Sequence, residues 1–342
     1  MKLFLVYAGQ RGAGLETTLS IYELLKKLNV EAYLFLSKDN LRREFIQKAY
    51  PESKFFNFFS PFDLIKMKKE INENWAFFTM ISPKMLPLFV LLKKKIFYFH
   101  ASYNHSFSKP FISNLIFDFL HDFVIKNSTI ILTTHPLLIW QIRSRLDRKA
   151  EFLPHPPFIL RKNFFVKEKP IKLPFKKYFL YFGELNRKGK GIDLLLEALD
   201  FCPRVNIIFA GRGPALPKRK NILHLNDWLD DGTLYYLISN SKAVVLPYLE
   251  PAQFSACIAY AIHFRKPVIV PNIPTFEYWV EENKTGWFFS AGDVLSLSKK
   301  LVYVWDGKGV YDPKSIKNKE KERERVSKEK MTSFLNSLDR MF

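Results

Sequence analysis

The segment YFLYFGELNRKGKGIDLLLEAL, residues 178–199, places an apolar strand-like run, a basic loop and a helix-like run in immediate succession. Its first five residues suit a buried strand, and its last eight have the spacing of an amphipathic helix. The loop between them holds Arg187, Lys188 and Lys190. A helix N-terminus carries partial positive charge and unpaired N–H groups, so three cations beside it are unfavourable on their own. The loop therefore indicates that an anion binds at this point.

The same alternation of strands and helices runs through the rest of the chain. Apolar strand-like runs such as 2–8, 31–36 and 205–210 are separated by helical patterns, and the second half repeats the scheme of the first. Short apolar strands separated by helices indicate parallel sheets that are covered on both faces. The sequence therefore predicts an α/β protein built from two Rossmann-like domains.

The predicted domain boundaries follow changes in composition. Residues 161–177 are rich in proline and lysine and lack a clear period, as expected of a linker. The first Rossmann-like domain is placed at residues 1–160 and the second at residues 178–311. The charged segment 312–342 is predicted to be a helical tail with one apolar stripe near its end. The stripe consists of Phe334, Leu335, Leu338, Met341 and Phe342.

Composition excludes several classes of protein. The chain has 342 residues and 48% hydrophobic content, and no apolar run approaches the roughly 18 residues of a membrane span. The short apolar run at the start is interpreted as a first strand and not as a signal peptide, which predicts a cytoplasmic protein. Two cysteines, Cys202 and Cys257, cannot form a disulfide framework, and Cys257 is expected to be a small buried residue. The net charge of +20 is spread over both halves without a nucleic-acid-binding motif, so neither a nucleic-acid partner nor a metal site is predicted.

Four loops at the carboxyl ends of predicted strands have unusual chemistry. They are GQRGAG (9–14), His100 at the end of IFYFH, the basic loop after Phe182, and GRG (211–213). Ligands of doubly wound sheets bind beyond these strand ends, and glycines there let backbone N–H groups approach a phosphate. Each glycine loop taken singly is typical of an ordinary tight turn. Together with the basic loop they predict a phosphorylated ligand.

The second half also resembles a known family. YFGELNRKGKGIDLLLEAL, IIFAGRGP, AVVLPYLEPAQFSACIAYAIHFRKPVIV and TGWFFSAGD follow the order and spacing of the nucleotide-sugar glycosyltransferases of family 4. The resemblance covers about residues 178–305, and it extends more weakly to IFYFHAS, IILTTHP and LPHPPF in the first half. It implies the GT-B fold, in which two Rossmann-like domains face each other across a cleft. It also implies a retaining transfer, without cofactor or metal, from a UDP- or GDP-linked sugar to a glycan, lipid-linked or other hydroxyl acceptor.

The resemblance assigns roles to particular residues. Arg187 and Lys190 would bind the donor diphosphate, with Lys188 as the alternative ligand, and this would account for the cations of the basic loop. His100 would contact the transferred sugar, the alternative being a structural histidine, and Trp228 would line the nucleobase pocket, the alternative being core packing. The assigned catalytic residues are His100 and Glu250. The assigned donor-binding residues are Gly12, Gly14, Arg187, Lys188, Lys190, Gly211, Gly213, Trp228, Gln253, Phe254 and Ser255.

The chain departs from the family pattern at two places. The family has an arginine directly after the glycine of the basic loop, where this chain has Glu184. The family also has two glutamates eight residues apart, whereas Glu250 is followed eight residues later by Ile258, and Tyr260 stands where the second glutamate would align. LEPAQFSA resembles a variant branch of the family instead. The alternatives are an epimerase or phosphorylase of the same fold, or a degenerate sugar-nucleotide-binding protein.

The first half pairs apolar runs with clusters of cations. Lys93, Lys94 and Lys95 follow PKMLPLFVLL, and a group of four cations follows the apolar run that begins at Ile130. This composition suits the surface of an anionic membrane. Peripheral contact of the first domain with the inner face of the membrane is therefore expected, the alternative being a scattered lysine-rich surface. The group of four consists of Arg143, Arg145, Arg148 and Lys149.

Overall fold

The computed structural model describes residues 2–10, 13–99, 111–156, 171–186, 188–249 and 255–340. The chain forms two units. Within the described residues, the first unit contains those up to 99, those from 111 to 156 and those from 323 onward, and the second contains residues 171–322. Much of the predicted linker, residues 161–170, lies outside the described residues, and the predicted domain boundaries stay a prediction.

The first unit is built on a parallel sheet of seven strands in the order β3-β2-β1-β4-β5-β6-β7. The strands are β1 (Lys2–Tyr7), β2 (Glu31–Ser37), β3 (Lys54–Phe56), β4 (Trp75–Phe78), β5 (Lys95–Phe99), β6 (Ile130–Thr133) and β7 (Glu151–Phe152). The connecting helices are α1 (Ala13–Lys27), α2 (Arg43–Ala49), α3 (Pro61–Ile71), α4 (Leu86–Leu91), α5 (Phe111–Asn127) and α6 (Pro136–Leu146).

The central strand β1 shows why this sheet is buried on both faces. Leu3, Leu5 and Tyr7 belong to one hydrophobic core, and Phe4 and Val6 belong to another. Successive side chains of a strand point to opposite faces of the sheet, so the two cores lie on opposite sides of it. This is the arrangement that the continuous apolar runs predict.

A long helix, α12 (Pro313–Arg340), completes the core of the first unit. The Ser327 hydroxyl donates to the Pro154 carbonyl at 3.2 Å, and a guanidinium nitrogen of Arg323 donates to the His155 carbonyl at 2.9 Å. The residues of this helix that are buried in the core containing β1 are Met331, Phe334, Leu335 and Leu338. Three residues of the predicted stripe are therefore buried, whereas Met341 and Phe342 lie outside the described residues.

The second unit is built on a parallel sheet of six strands in the order β10-β9-β8-β11-β12-β13. The strands are β8 (Phe179–Phe182), β9 (Ile207–Ala210), β10 (Ile222–Leu225), β11 (Val244–Val245), β12 (Val268–Pro271) and β13 (Gly286–Phe289). The helices are α7 (Ile192–Asp200), α8 (Asp231–Asn240), α9 (Ala256–His263), α10 (Pro274–Glu277), α11 (Val294–Trp305) and the first part of α12. Two parallel sheets with intervening helices confirm the predicted α/β class.

Some short elements differ from the sequence predictions. The apolar pattern of residues 83–92 predicts one helix, whereas the structure has a single turn of 3-10 helix, Pro83–Met85, followed by α4. Pro87 in the first turn of α4 explains the division, because proline has no N–H to donate to a preceding turn. Among the described residues, none of the helices combines the length and the apolar character needed to cross a membrane.

Candidate active site

The basic loop of the second unit is held by close packing against the loop that follows β11. A turn of 3-10 helix, Lys188–Lys190, precedes α7, and Gly191 between them has φ 67°. A side chain at Gly191 would overlap the carbonyl oxygen of Pro247, so glycine is required for both conformation and space. The Leu249 amide donates to the Gly189 carbonyl at 2.9 Å. The two loops are therefore fixed against each other.

Lys190 is positioned by a buried aromatic ring. Its ammonium nitrogen lies 3.8 Å from the centroid of the Tyr248 ring. Tyr248 is 1% exposed, and its hydroxyl oxygen accepts a hydrogen bond from the Ser255 hydroxyl at 3.0 Å. Burial raises the pKa of the Tyr248 hydroxyl well above its usual value, so the ring is neutral and presents its negative face to the cation.

Cys257 lies beneath the same loop. Its thiol donates to the carbonyl of Phe182 at 3.2 Å, and Phe182 is the last residue of β8. Burial raises the pKa of the Cys257 thiol, and the charge of Lys190 lowers it in part. The residue is thus a partly buried thiol beneath this loop, less buried than the sequence predicts. Sequence reasoning did not find Tyr248, although it lies two residues before the assigned Glu250.

The GRG loop packs on the loop after β8. Gly211 has φ 147°, and a side chain there would overlap the Gly183 carbonyl. A side chain at Gly213 would overlap that of Leu185, whose amide donates to the Arg212 carbonyl at 2.8 Å. Both glycines therefore have a packing reason that is independent of a ligand.

Trp228 follows β10 at the same edge of the sheet. Its side chain is 42% exposed, so it does not belong to the hydrophobic core. The Trp228 amide donates to the Asp227 carboxylate at 2.6 Å, and Asp227 pairs with Arg212 at 3.1 Å. Because β10, β9, β8 and β11 are parallel neighbours, the loops that carry Trp228, Arg212 and Lys190 lie at one edge of this sheet.

The structure describes the assigned residues unevenly. Gly14 lies in the first unit, where a side chain would come 2.7 Å from the ring of Tyr7, so glycine lets α1 approach β1. For Lys188 the backbone is described and the side chain is not. The assigned residues that lie outside the described part of the chain are Gly12, His100, Arg187, Glu250, Gln253 and Phe254.

Tyr260, which stands where the family has its second glutamate, is packed into the second unit. It is a buried residue of α9, and its ring lies 6.1 Å from that of Phe182 and 6.3 Å from that of Tyr235. An aromatic side chain therefore occupies the place of the expected carboxylate. In the part of the chain that the structure describes, no group of three or more His, Cys, Asp or Glu side chains is arranged to hold a metal ion.

Comparison with known families and structures agrees with this geometry. Residues 176–306 match the family model for glycosyl transferases group 1. Comparison with curated proteins found no match.

Among solved structures, HepE from Anabaena in complex with UDP and glucose is similar over 98% of this chain and 100% of its own, with 14% identity and a TM-score of 0.71. TarM from S. aureus, in a complex that contains UDP, is similar over 98% and 99% with 11% identity and a TM-score of 0.69. The galactosyltransferase WaaB is similar over the whole of both chains with 14% identity and a TM-score of 0.66. The GT-B fold implied by the family resemblance is confirmed by these likenesses.

Proposed function

Starting from the glycosyl transferases group 1 match of residues 176–306, we propose that this chain is a retaining glycosyltransferase that uses a UDP-linked sugar. The observation that carries the proposal is the fixed position of Lys190. Its ammonium group is held by Tyr248 at the carboxyl edge of the sheet, in the loop that leads into α7. A diphosphate bound there would meet both this cation and the unpaired N–H groups of the helix N-terminus.

The proposed chemistry places the leaving group at this cation. The bond between the anomeric carbon and the phosphate oxygen breaks, and its electron pair goes to the departing diphosphate. The acceptor oxygen bonds to the anomeric carbon, and the acceptor proton passes to the diphosphate. Lys190 and the helix N-terminus stabilise the charge that develops on the leaving oxygen, which is the role of a divalent metal in other transferases. The reaction is therefore proposed to need no metal.

Binding of UDP tests the donor site. Lys190→Gln should weaken UDP binding by roughly 10- to 150-fold, because it removes one charge-assisted contact worth about 1.5–3 kcal/mol. Lys299→Gln, which changes an exposed lysine of α11, is the matched control and should bind UDP like the wild type. Isothermal titration calorimetry measures both. Equal affinity in the wild type and Lys190→Gln would remove the diphosphate from this loop.

A binding protein without transferase activity is the alternative, and the packed ring of Tyr260 favours it. Ribose recognition would then lack the carboxylate that the family uses. Release of UDP from UDP-glucose and UDP-galactose, measured with and without a panel of sugar acceptors, distinguishes the two functions. Acceptor-dependent release supports the transferase, whereas tight UDP-sugar binding without any release supports the binding protein.

We also propose that the first unit contacts an anionic membrane. The apolar contribution comes from exposed side chains on α5 and α6, among them Phe119 and Trp140. The two helices are joined by the bidentate pair of Arg145 with Asp122 at 2.9–3.1 Å. Lys95 is less suited to this role than the sequence indicated, because its ammonium lies 4.6 Å from the Phe89 ring centroid and burial lowers its pKa. The apolar face of α5 and α6 therefore supports the proposal better than the lysine cluster does.

A further inference from the structure

A cavity of about 520 Å³ lies in the first unit. It is lined by residues 8–10, which follow β1, by Phe59, which lies in the loop after β3, and by residues 82–84, which follow β4. The strands β1 and β4 are parallel neighbours, so the cavity opens at the carboxyl edge of this sheet. Sites for small molecules have volumes of about 300–1,000 Å³ and favour this edge of doubly wound sheets.

The lining combines an aromatic face with polar side chains. Phe59 is 68% exposed, which is unusual for a phenylalanine that lines a cavity. The Ser82 hydroxyl oxygen is buried and has no hydrogen-bond partner among the described residues. A buried hydroxyl without a partner is costly, so a ligand that supplies a hydrogen bond is favoured there. Gln10 adds an exposed amide at the same cavity.

Lys84 gives the cavity its charge. Its ammonium lies 4.8 Å from the Phe59 ring centroid and 3.7 Å from the Asp39 carboxylate. The second distance is too long for a hydrogen bond, and both partners of this ion pair are partly exposed, so the pair contributes little. An anionic group of a ligand can therefore replace Asp39 as the partner of Lys84 without a large loss.

We propose that this cavity binds the acceptor and that the acceptor is a sugar with a carboxylate or a phosphate group. A sugar ring has C–H groups that pack on an aromatic face and hydroxyls that pair with Ser82 and Gln10, and the anionic group pairs with Lys84. The assignment of this ligand as the acceptor rests on the proposed transferase function. The cavity thus adds substrate specificity on the acceptor side, which the donor site does not determine.

Ligand-observed saturation-transfer NMR on the full chain tests the cavity with three probes: methyl glucuronide, glucose 6-phosphate and methyl glucoside. At least one of the two anionic sugars should bind roughly fivefold tighter than the neutral glucoside. Phe59→Ala should weaken binding of all three by about tenfold, and Lys84→Gln should reduce the anionic sugars to the affinity of the glucoside. Phe62→Ala is the matched control, because Phe62 is 84% exposed on the neighbouring helix α3 and does not line the cavity.

Several outcomes would overturn the inference. These are no binding of any probe, equal binding of the three probes to the wild type, or equal losses in Phe59→Ala and Phe62→Ala. UDP titration of the same samples distinguishes a failure of the sugar-binding proposal for this cavity from a failure of the proposed transferase function. If a variant loses sugar binding but still binds UDP, it is folded, and the loss of sugar binding comes from the change in the cavity. A wild type that binds the anionic sugars through Phe59 but no UDP would contradict the donor site and leave the cavity as a sugar site.

Discussion

Exchange of Tyr248 for leucine should weaken UDP binding although Tyr248 is too deeply buried to touch the ligand itself. The ring lies 3.8 Å from the Lys190 ammonium and is 1% exposed, so the cation–π contact is shielded from water on one side. Such contacts are worth about 1–2 kcal/mol when they are partly desolvated. Without the ring, Lys190 must be ordered by the ligand, and UDP affinity should fall by roughly 5- to 30-fold.

Two further variants separate the ring from its hydroxyl and from general destabilisation. Tyr248→Phe keeps the ring and leaves the buried Ser255 hydroxyl without its partner, which should lower the free energy of unfolding by about 1–3 kcal/mol and change UDP affinity less than threefold. Tyr178→Leu removes another fully buried tyrosine of the second unit, one whose hydroxyl donates to the Leu237 carbonyl at 2.8 Å. It should destabilise the fold to a similar extent as Tyr248→Leu while leaving UDP affinity unchanged in the folded protein.

Calorimetry and urea unfolding together measure these effects. A more direct test of the cation–π contact replaces Tyr248 by phenylalanines with increasing numbers of ring fluorines. Fluorine weakens the negative charge on the face of the ring and changes the ring volume little. UDP affinity should then decrease steadily with each fluorine. Wild-type affinity in Tyr248→Leu, or an equal loss in Tyr178→Leu, would refute the view that this ring positions the cation.

Three other results are expected. Gly191→Ala should lower the free energy of unfolding by at least about 2 kcal/mol, because the new methyl group overlaps the carbonyl oxygen of Pro247. Gly292→Ala, at φ 76° with open space around it, should lower it by about 1 kcal/mol. Equal losses in urea unfolding would contradict the clash. Burial raises the pKa of Tyr7 to about 12, so the folded state keeps a proton that the unfolded state releases above pH 10. Stability should be full below pH 10 and fall towards pH 12 by up to about 1.4 kcal/mol per pH unit from this residue, and Tyr7→Phe should show a shallower fall. The wild type should co-sediment with phosphatidylserine vesicles at low salt and be released at about 0.5 M salt, because salt screens the attraction between cations of the protein and anionic lipids. Phe119→Ser with Trp140→Ser should abolish binding, and unchanged binding would exclude α5 and α6 as the contact.

The architecture was predictable because buried parallel strands have a strong sequence signal. All side chains of β4, β6, β8 and β9 are buried, and these strands are apolar except for Thr133 at the end of β6. β3 and β7, with three and two residues, are too short to show any period. The helix α3 has no clear apolar period in the sequence, although Ser60 caps it and Pro61 begins it, because its central residues are mostly charged.

The candidate site was predictable as a set of loops but not as a set of contacts. Lys190 was found from its place before a helix, whereas Tyr248 lies far away in the sequence and reaches Lys190 because β8 and β11 are neighbours in the sheet. Gly211 was chosen as a phosphate-binding residue, yet its conformation and its contact with Gly183 would require glycine in any case. A glycine motif by itself therefore indicates close backbone packing, and it indicates a ligand only in combination with other evidence.

The helix α12 also sets an order of events during synthesis. The core that surrounds Leu25 and Leu34 is finished by Met331 and Phe334, which leave the ribosome only after the whole second unit has been made. Until these residues of α12 have been synthesised, the strands of the first unit keep part of their apolar surface exposed. The second unit already has all the residues of its own sheet and can fold. A nascent chain that stops before residue 323 therefore holds a finished second unit and an unfinished first one, and it is the first that would recruit chaperones or aggregate.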